Sequence, residues 1–305
     1  MLRKFFTYTF ALLSLIILFT SCKKEYESAA SIDDQTITTY LQNNNLTSSF
    51  TKDPSGFYYQ VVAPGTGTIF LNTDSVLYGV TIKSLTNGTV YDQSPANYNL
   101  GKFVGNTDTL YAATSQSFAV VIPAIRTAML NLKPGGSARL ILPSSLAFGR
   151  NGLNAIPAGE VVDLIITTFP YKRQSDLDDF RIRTFLTEKG LTATKDPSGV
   201  YFNISAPGTG TAVINGGSTL VANYTGRTLD GTVFDSSTDG TASFVLKGDG
   251  GSTIVGWQKV IPKLKAGGKM RMLVPSGLAY GPAGSTGING NAILDFDVEI
   301  VSVTN

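Results

Sequence analysis

The 305-residue chain contains no histidine, one cysteine and one tryptophan. Without histidine there is no Ser-His or Cys-His pair and no imidazole ligand, so triad hydrolysis and metal-assisted hydrolysis lose their usual residues. A single cysteine, Cys22, permits neither an internal disulfide nor a thiolate zinc cluster. Charge is balanced, 24 basic residues against 22 acidic ones, and neither sign forms a long block. Phosphate binding needs a concentrated basic face, so no nucleic-acid partner is expected. What is abundant is glycine, 32 residues, with β-branched and aromatic residues in short runs between Gly, Pro, Asn and Asp clusters. That texture predicts many short strands joined by turns, and the length leaves room for two domains.

Residues 1–22 have the layout of an export signal. Arg3 and Lys4 form a basic start, Phe10 to Phe19 is almost wholly apolar, and Phe19-Thr20-Ser21-Cys22 closes the segment with small residues before the cysteine. The boundary resembles the lipobox of bacterial lipoproteins, with Phe19 where Leu is usual, and implies lipidation of Cys22. An uncleaved anchor, or a conventional signal with an incidental cysteine, are the other readings. The apolar run is short against the roughly 20 residues of a spanning helix, and the lone cysteine at the boundary favours the lipoprotein. Residues 23–31 are expected to be a tether, and the protein to be lipid-anchored to a bacterial membrane, the outer one by preference, in the extracytoplasmic cell envelope.

The remainder is one unit written twice. Thr51-Lys52-Asp53-Pro54-Ser55-Gly56 recurs as Thr194-Lys195-Asp196-Pro197-Ser198-Gly199, an offset of 143 residues. Leu142-Pro143-Ser144 matches Val274-Pro275-Ser276 at an offset of 132, so the first copy carries 11 extra residues, between Tyr91 and Ile122. Each copy begins with a predicted helix: Ile37 to Leu46 in the first, and in the second a stripe of Phe180, Ile182, Phe185, Leu186 and Leu191 stopped by Gly190. Asp178 and Asp179 suit that helix's positive N-terminal end. Tyr171 to Ser175 reads as the linker, giving domains at 32–172 and 173–305. Leu294, Phe296, Val298 and Ile300 alternate with Asp295, Asp297 and Glu299, a strand with one face buried and one in water. Trp257, Val260, Ile261 and Leu264 keep helical spacing, with Pro262 in a first turn or at a kink. The expected class is α+β: two tandem domains, each an antiparallel sheet wrapped around a short helix and preceded by an N-terminal helix.

The second copy carries, in order, Tyr224-Thr225-Gly226, Asp230-Gly231-Thr232-Val233-Phe234-Asp235-Ser236-Ser237, Ile254-Val255-Gly256-Trp257, Gly267-Gly268-Lys269, Ala279-Tyr280-Gly281 and Phe296-Asp297-Val298-Glu299. This series resembles the FKBP-type peptidyl-prolyl cis-trans isomerases. The resemblance implies Trp257 as pocket floor, Tyr224, Phe234 and Phe296 as walls, and the Ile254 N–H as donor to a substrate carbonyl. It implies Asp235 and Tyr280 as polar rim, with Ile288 and Phe244 as substrate contacts. It also implies proline-containing polypeptide substrates and no cofactor or metal; a monomer is expected. Ala242 departs from a family aromatic on the strand leading to Phe244, and the tip Pro282 to Asn291 is one residue short, with Asn289-Gly290 where prolines are frequent. In the first copy Ile125, Phe148, Leu164 and Val80 replace Trp257, Tyr280, Phe296 and Tyr224, while Tyr91-Asp92 and Ile122 match Phe234-Asp235 and Ile254. Activity is therefore expected in the second copy, and a binding or spacing role in the first. The alternative is a chaperone or scaffold that grips clients without turnover.

Overall fold

Alternation of apolar and polar residues along the longest strands sets which face of each sheet turns inward. The computed structural model describes residues 28–94, 99–111, 119–246 and 253–305. The signal segment with Cys22, and most of the tether, lie outside the described residues.

The first copy contains α1 (Ala29–Asn43), β1 (Thr51–Lys52), β2 (Tyr58–Ala63), β3 (Ser75–Ser84), β4 (Val90–Gln93) and β5 (Leu100–Phe103). It continues with β6 (Thr109–Tyr111), β7 (Ala119–Val121), α2 (Pro123–Met129), β8 (Ser137–Leu142) and β9 (Val162–Thr168). The second contains α3 (Gln174–Glu188), β10 (Thr194–Lys195), β11 (Tyr201–Ala206), β12 (Thr219–Thr228), β13 (Val233–Ser237) and β14 (Ser243–Val245). After these come α4 (Val255–Val260), β15 (Lys269–Val274) and β16 (Leu294–Thr304). Both sheets are antiparallel with one topology: β1-β2-β8-β9-β3-β4 with β5 also on β3, and β10-β11-β15-β16-β12-β13 with β14 also on β12. The α+β tandem is thus present, and the described part of the first copy's insertion includes a 3-10 turn, Val104–Asn106, and the antiparallel pair β6 and β7.

Each sheet is covered on both sides. On the concave side of the second domain Trp257, Val260, Ile261 and Leu264 pack against Met270, Met272, Leu294, Phe296, Val298 and Ile300 in one core. On the other side Ile182 and Phe185 of α3 pack on Tyr201, Leu273 and Ile293. The first domain repeats this with Ile37 and Leu41 against Tyr58 and Ile141.

Several local expectations change. The helix of the first copy starts at Ala29, capped by Ser28, inside the segment read as tether, and ends at Asn43 rather than Leu46. In α3 the buried stripe includes Leu177, whereas Phe180 points outward, 43% exposed and stacked on Tyr171 at 5.4 Å. Pro262 ends α4 at Val260, and Ile261–Lys263 continue as a 3-10 turn, because proline removes the next helical N–H. Asp295 lies on the supposedly wet face of β16 yet is 2% exposed. It is partnered there: Arg271 Nε and Nη2 reach its two oxygens at 2.9 and 2.8 Å and Arg227 Nε approaches at 3.2 Å, as a buried carboxylate requires. Asp178 does more than face a helix end. It is 1% exposed, and its Oδ2 accepts from Ser276 N at 2.8 Å and Ser276 Oγ at 2.7 Å, fastening α3 to the turn after β15. Asp33 makes the same two bonds to Ser144 in the first copy.

Candidate active site

Tyr224 and Gly226 share the concave face of β12 because side chains alternate along a strand. The turn into β13 is closed by Asp230, whose Oδ1 accepts from Thr228 Oγ1 at 2.6 Å and Thr232 N at 3.0 Å, and by Gly231 at φ +91°. Pairing then slips: Gly226 opposes Asp235 but Arg227 opposes Val233. Phe234 is the extra residue of this bulge, so consecutive residues Phe234 and Asp235 both serve the concave face. Phe234 stacks on Phe296 at 5.7 Å, and Asp235 accepts the Tyr224 hydroxyl at 2.6 Å.

The rings form a cage. Trp257, in the first turn of α4, is met edge-on by Tyr224 at 5.7 Å, Phe244 at 5.5 Å and Phe296 at 5.5 Å, and Tyr224 meets Phe244 at 5.4 Å. Edge-to-face geometry places positive ring edges on negative faces, each contact contributing about 0.5–1.5 kcal/mol beyond burial. Phe244 therefore supplies an aromatic wall on β14, despite Ala242. The Trp257 indole nitrogen is buried and meets no acceptor among the described residues. Gly256 lets the helix lie this close: a Cβ there would sit 2.3 Å from Val274 Cγ1.

Ile254 is the half-buried N-cap of α4, so its backbone stands where the helix begins beside Trp257. Tyr280 is 40% exposed, just before the turn Gly281–Ala283. Ile288 is 7% exposed and packs into the same core as Trp257, its N–H and C=O both paired with Ser285. Burial raises the Tyr224 hydroxyl well above the usual phenol range, with further upward push from the Asp235 carboxylate and Tyr280. Tyr224 therefore stays a neutral donor. The arrangement offers an apolar aromatic floor with a polar rim, and no nucleophile–base pair among the described residues.

One residue of the cage has no role assigned to it in the sequence reading. A Cβ on Gly226 would lie 2.7 Å from both Phe234 Cζ and Phe296 Cε1, so the two rings meet in the space a side chain would occupy. The signal is a glycine in mid-strand, which marks close approach. The first copy lacks that space: Ile82 opposes Leu164 in the register where Gly226 opposes Phe296. Val80, Ile125 and Leu164 there share one core with Val104 and Leu110 of the insertion.

The family model described as FKBP-type peptidyl-prolyl cis-trans isomerase matches residues 210–301. The chain is 41% identical over 106 residues to FK506-binding protein 1 of Candida glabrata, covering 34% of this chain and 93% of that protein. It is 36% identical over 119 residues to the FKBP-type peptidyl-prolyl cis-trans isomerase FkpA of Escherichia coli, covering 39% of this chain and 42% of FkpA. The chain thus spans less than half the length of that relative. The crystal structure of FkpA from Escherichia coli is similar with a TM-score of 0.37 and 34% identity, covering 43% of this chain and 59% of the FkpA chain.

Proposed function

Because the chain belongs to the FKBP-type peptidyl-prolyl cis-trans isomerases, we propose that its second domain, residues 173–305, interconverts cis and trans X-Pro bonds in polypeptides of the cell envelope. The observation that carries this reading is the edge-to-face cage around Trp257. An X-Pro bond prefers trans by only about 0.5–1 kcal/mol yet exchanges over tens to hundreds of seconds. The barrier of about 18–20 kcal/mol is the amide resonance lost on twisting. A twisted amide is less dipolar than a planar one, so an apolar cage that strips water favours the twisted state over the ground state. Such differential binding is what accelerates a step. In this scheme the proline ring sits on Trp257 between Tyr224, Phe234, Phe244 and Phe296, with Ile288 closing over it. The Ile254 N–H and Tyr280 hydroxyl hold the preceding carbonyl, and Asp235 orients Tyr224.

The first domain, residues 32–172, serves as a binding or spacing module. Aliphatic side chains stand where three cage rings would be, and insertion residues share their core. Acylation of Cys22 would hold the protein at a bacterial membrane; no helix among the described residues is long and apolar enough to cross one. Loss of labelled-palmitate incorporation in Cys22→Ser tests the anchor, and unchanged incorporation refutes it.

The catalytic test is cis-to-trans conversion of a short X-Pro peptide by the mature chain beside Asp235→Ala and Tyr280→Phe. Acceleration that weakens in both variants supports the isomerase. Absence of acceleration by folded protein overturns it and leaves client binding without turnover as the reading.

A further inference from the structure

Asn99 lies on the first domain's insertion side, immediately before β5, yet its side-chain hydrogen bonds run to the second domain. It is fully buried. Its Nδ2 donates to Gln174 Oε1 at 2.8 Å, and its Oδ1 accepts from Arg181 Nη1 at 2.9 Å and Gln174 Nε2 at 3.3 Å. Its backbone oxygen accepts from Asn291 Nδ2 at 3.1 Å. Gln174 Nε2 also donates to Asp178 Oδ1 at 2.8 Å, and Asp178 is the carboxylate that holds Ser276. Two chains of hydrogen bonds therefore leave Asn99 and reach opposite ends of one segment. Residues 276–291 begin at Ser276, carry Tyr280 and Ile288, and close where Asn291 N donates to Gly281 O at 2.8 Å.

The two copies differ just here. Gly159 closes the corresponding loop of the first copy with the same bond, to Gly149 O, at φ +71°. Asn291 holds the same left-handed conformation, φ +57°, where any side chain costs energy and asparagine costs least. Its amide is the group that reaches Asn99. Likewise Ala29 and Thr36 stand in α1 where Gln174 and Arg181 stand in α3, although the Asp33–Ser144 anchor is retained. The residues that reach across the interface are the ones that changed.

We propose that Asn99 of the first domain is a positioning residue for the second domain's pocket, clamping both ends of the segment that carries Tyr280 and Ile288. The inference rests on the isomerase reading for its effect on turnover, but not for the clamp itself. Asn291→Gly keeps the backbone conformation and the bond to Gly281 while removing only the reaching amide; Asn99→Ala cuts the chain through Gln174 and Asp178 and leaves the backbone oxygen that the Asn291 amide meets. In the full-length chain, amide hydrogen exchange within 276–292 is expected to quicken in both variants while strands β11, β12 and β16 keep their protection. Peptide-isomerisation kcat/KM is expected to fall roughly two- to thirtyfold with the urea midpoint of the second domain unchanged. Unaltered exchange in 276–292, or exchange that quickens equally throughout the domain, overturns the clamp. If the unsubstituted protein shows no turnover, the isomerase reading fails and the exchange pattern alone decides the clamp.

Discussion

Gly226→Ala is the smallest perturbation that should damage the cage. The new Cβ would lie 2.7 Å from Phe234 Cζ and Phe296 Cε1 and 2.9 Å from Phe234 Cε2. Non-bonded carbons settle at about 3.5–4.0 Å, so one ring edge or both must retreat by roughly 1 Å. Phe296 is 4% exposed and stacked on Trp257, whereas Phe234 is half-buried at the rim, so Phe234 yields. Overpacking of this kind costs about 1–3 kcal/mol. Replacing a strand glycine offsets about 0.5–1 kcal/mol of that, since the unfolded chain loses freedom. The expected net loss of stability is about 1 kcal/mol, read as a lowered urea midpoint at unchanged slope. Turnover should suffer more, because a wall displaced by about 1 Å can cost up to about 100-fold. A fall of about tenfold in kcat/KM for an X-Pro peptide is expected, and a deeper one for Gly226→Ile, which copies Ile82 of the first domain. Full activity in a folded Gly226→Ala protein would refute the assignment of Phe234 and Phe296 as pocket walls.

The Asp179 network predicts a stability plateau with two edges. Burial pulls the Asp179 carboxyl upward, but hydrogen bonds from Lys195, Tyr201 and Arg183 outweigh it and bring it down to about 2, while burial and Asp179 push Tyr201 up to about 12. Stability should therefore fall as pH drops from about 4 towards 2, where the unfolded chain protonates first, and again as pH rises from about 10 to 12, where unfolded tyrosine ionises first. Urea midpoints across pH should show both edges, with the acid edge weakened in Asp179→Asn; an unchanged acid edge would refute the sign. Asp295→Ala should destabilise the second domain by about 3 kcal/mol, because Arg227 and Arg271 lose a buried partner. A loss under about 1 kcal/mol would mean that solvent and the remaining Arg227–Asp297 pair compensate.

Much of the fold was legible because its signals are periodic. Leu294, Phe296, Val298 and Ile300 revealed β16, and the repeated Asp-Pro-Ser-Gly and Pro-Ser blocks revealed a second copy before any element was placed. The cage was legible through the order of its aromatic residues, and all its named members except Tyr280 are tied together by ring contacts, core packing or the Tyr224–Asp235 bond. What escaped depends on partners distant in sequence. Phe180 and Leu177 both fit a helical stripe, and only the placement of the sheet decides which is buried. Asp295 reads as a solvent-facing residue until Arg227 and Arg271, from two other strands, are seen to converge on it. Gly226 is defined by two rings it does not neighbour in the chain. Asn99 sits beside an insertion with no counterpart in the other copy, so the repeat could not flag it.

In both sheets the last strand to be made lies in the interior: β9 between β8 and β3, β16 between β15 and β12. During synthesis from the N-terminus the first domain can close once Thr168 has emerged, while the second must wait for β16. Until then β12 and β15 each present an open edge able to pair with the same strand of another molecule. The already closed first domain has no strand to lend. Removing residues 294–305 would take out the centre of the sheet, the Phe296 ring and the partner of both arginines together. The strand whose loss does most damage is therefore the last one of the second sheet to be made.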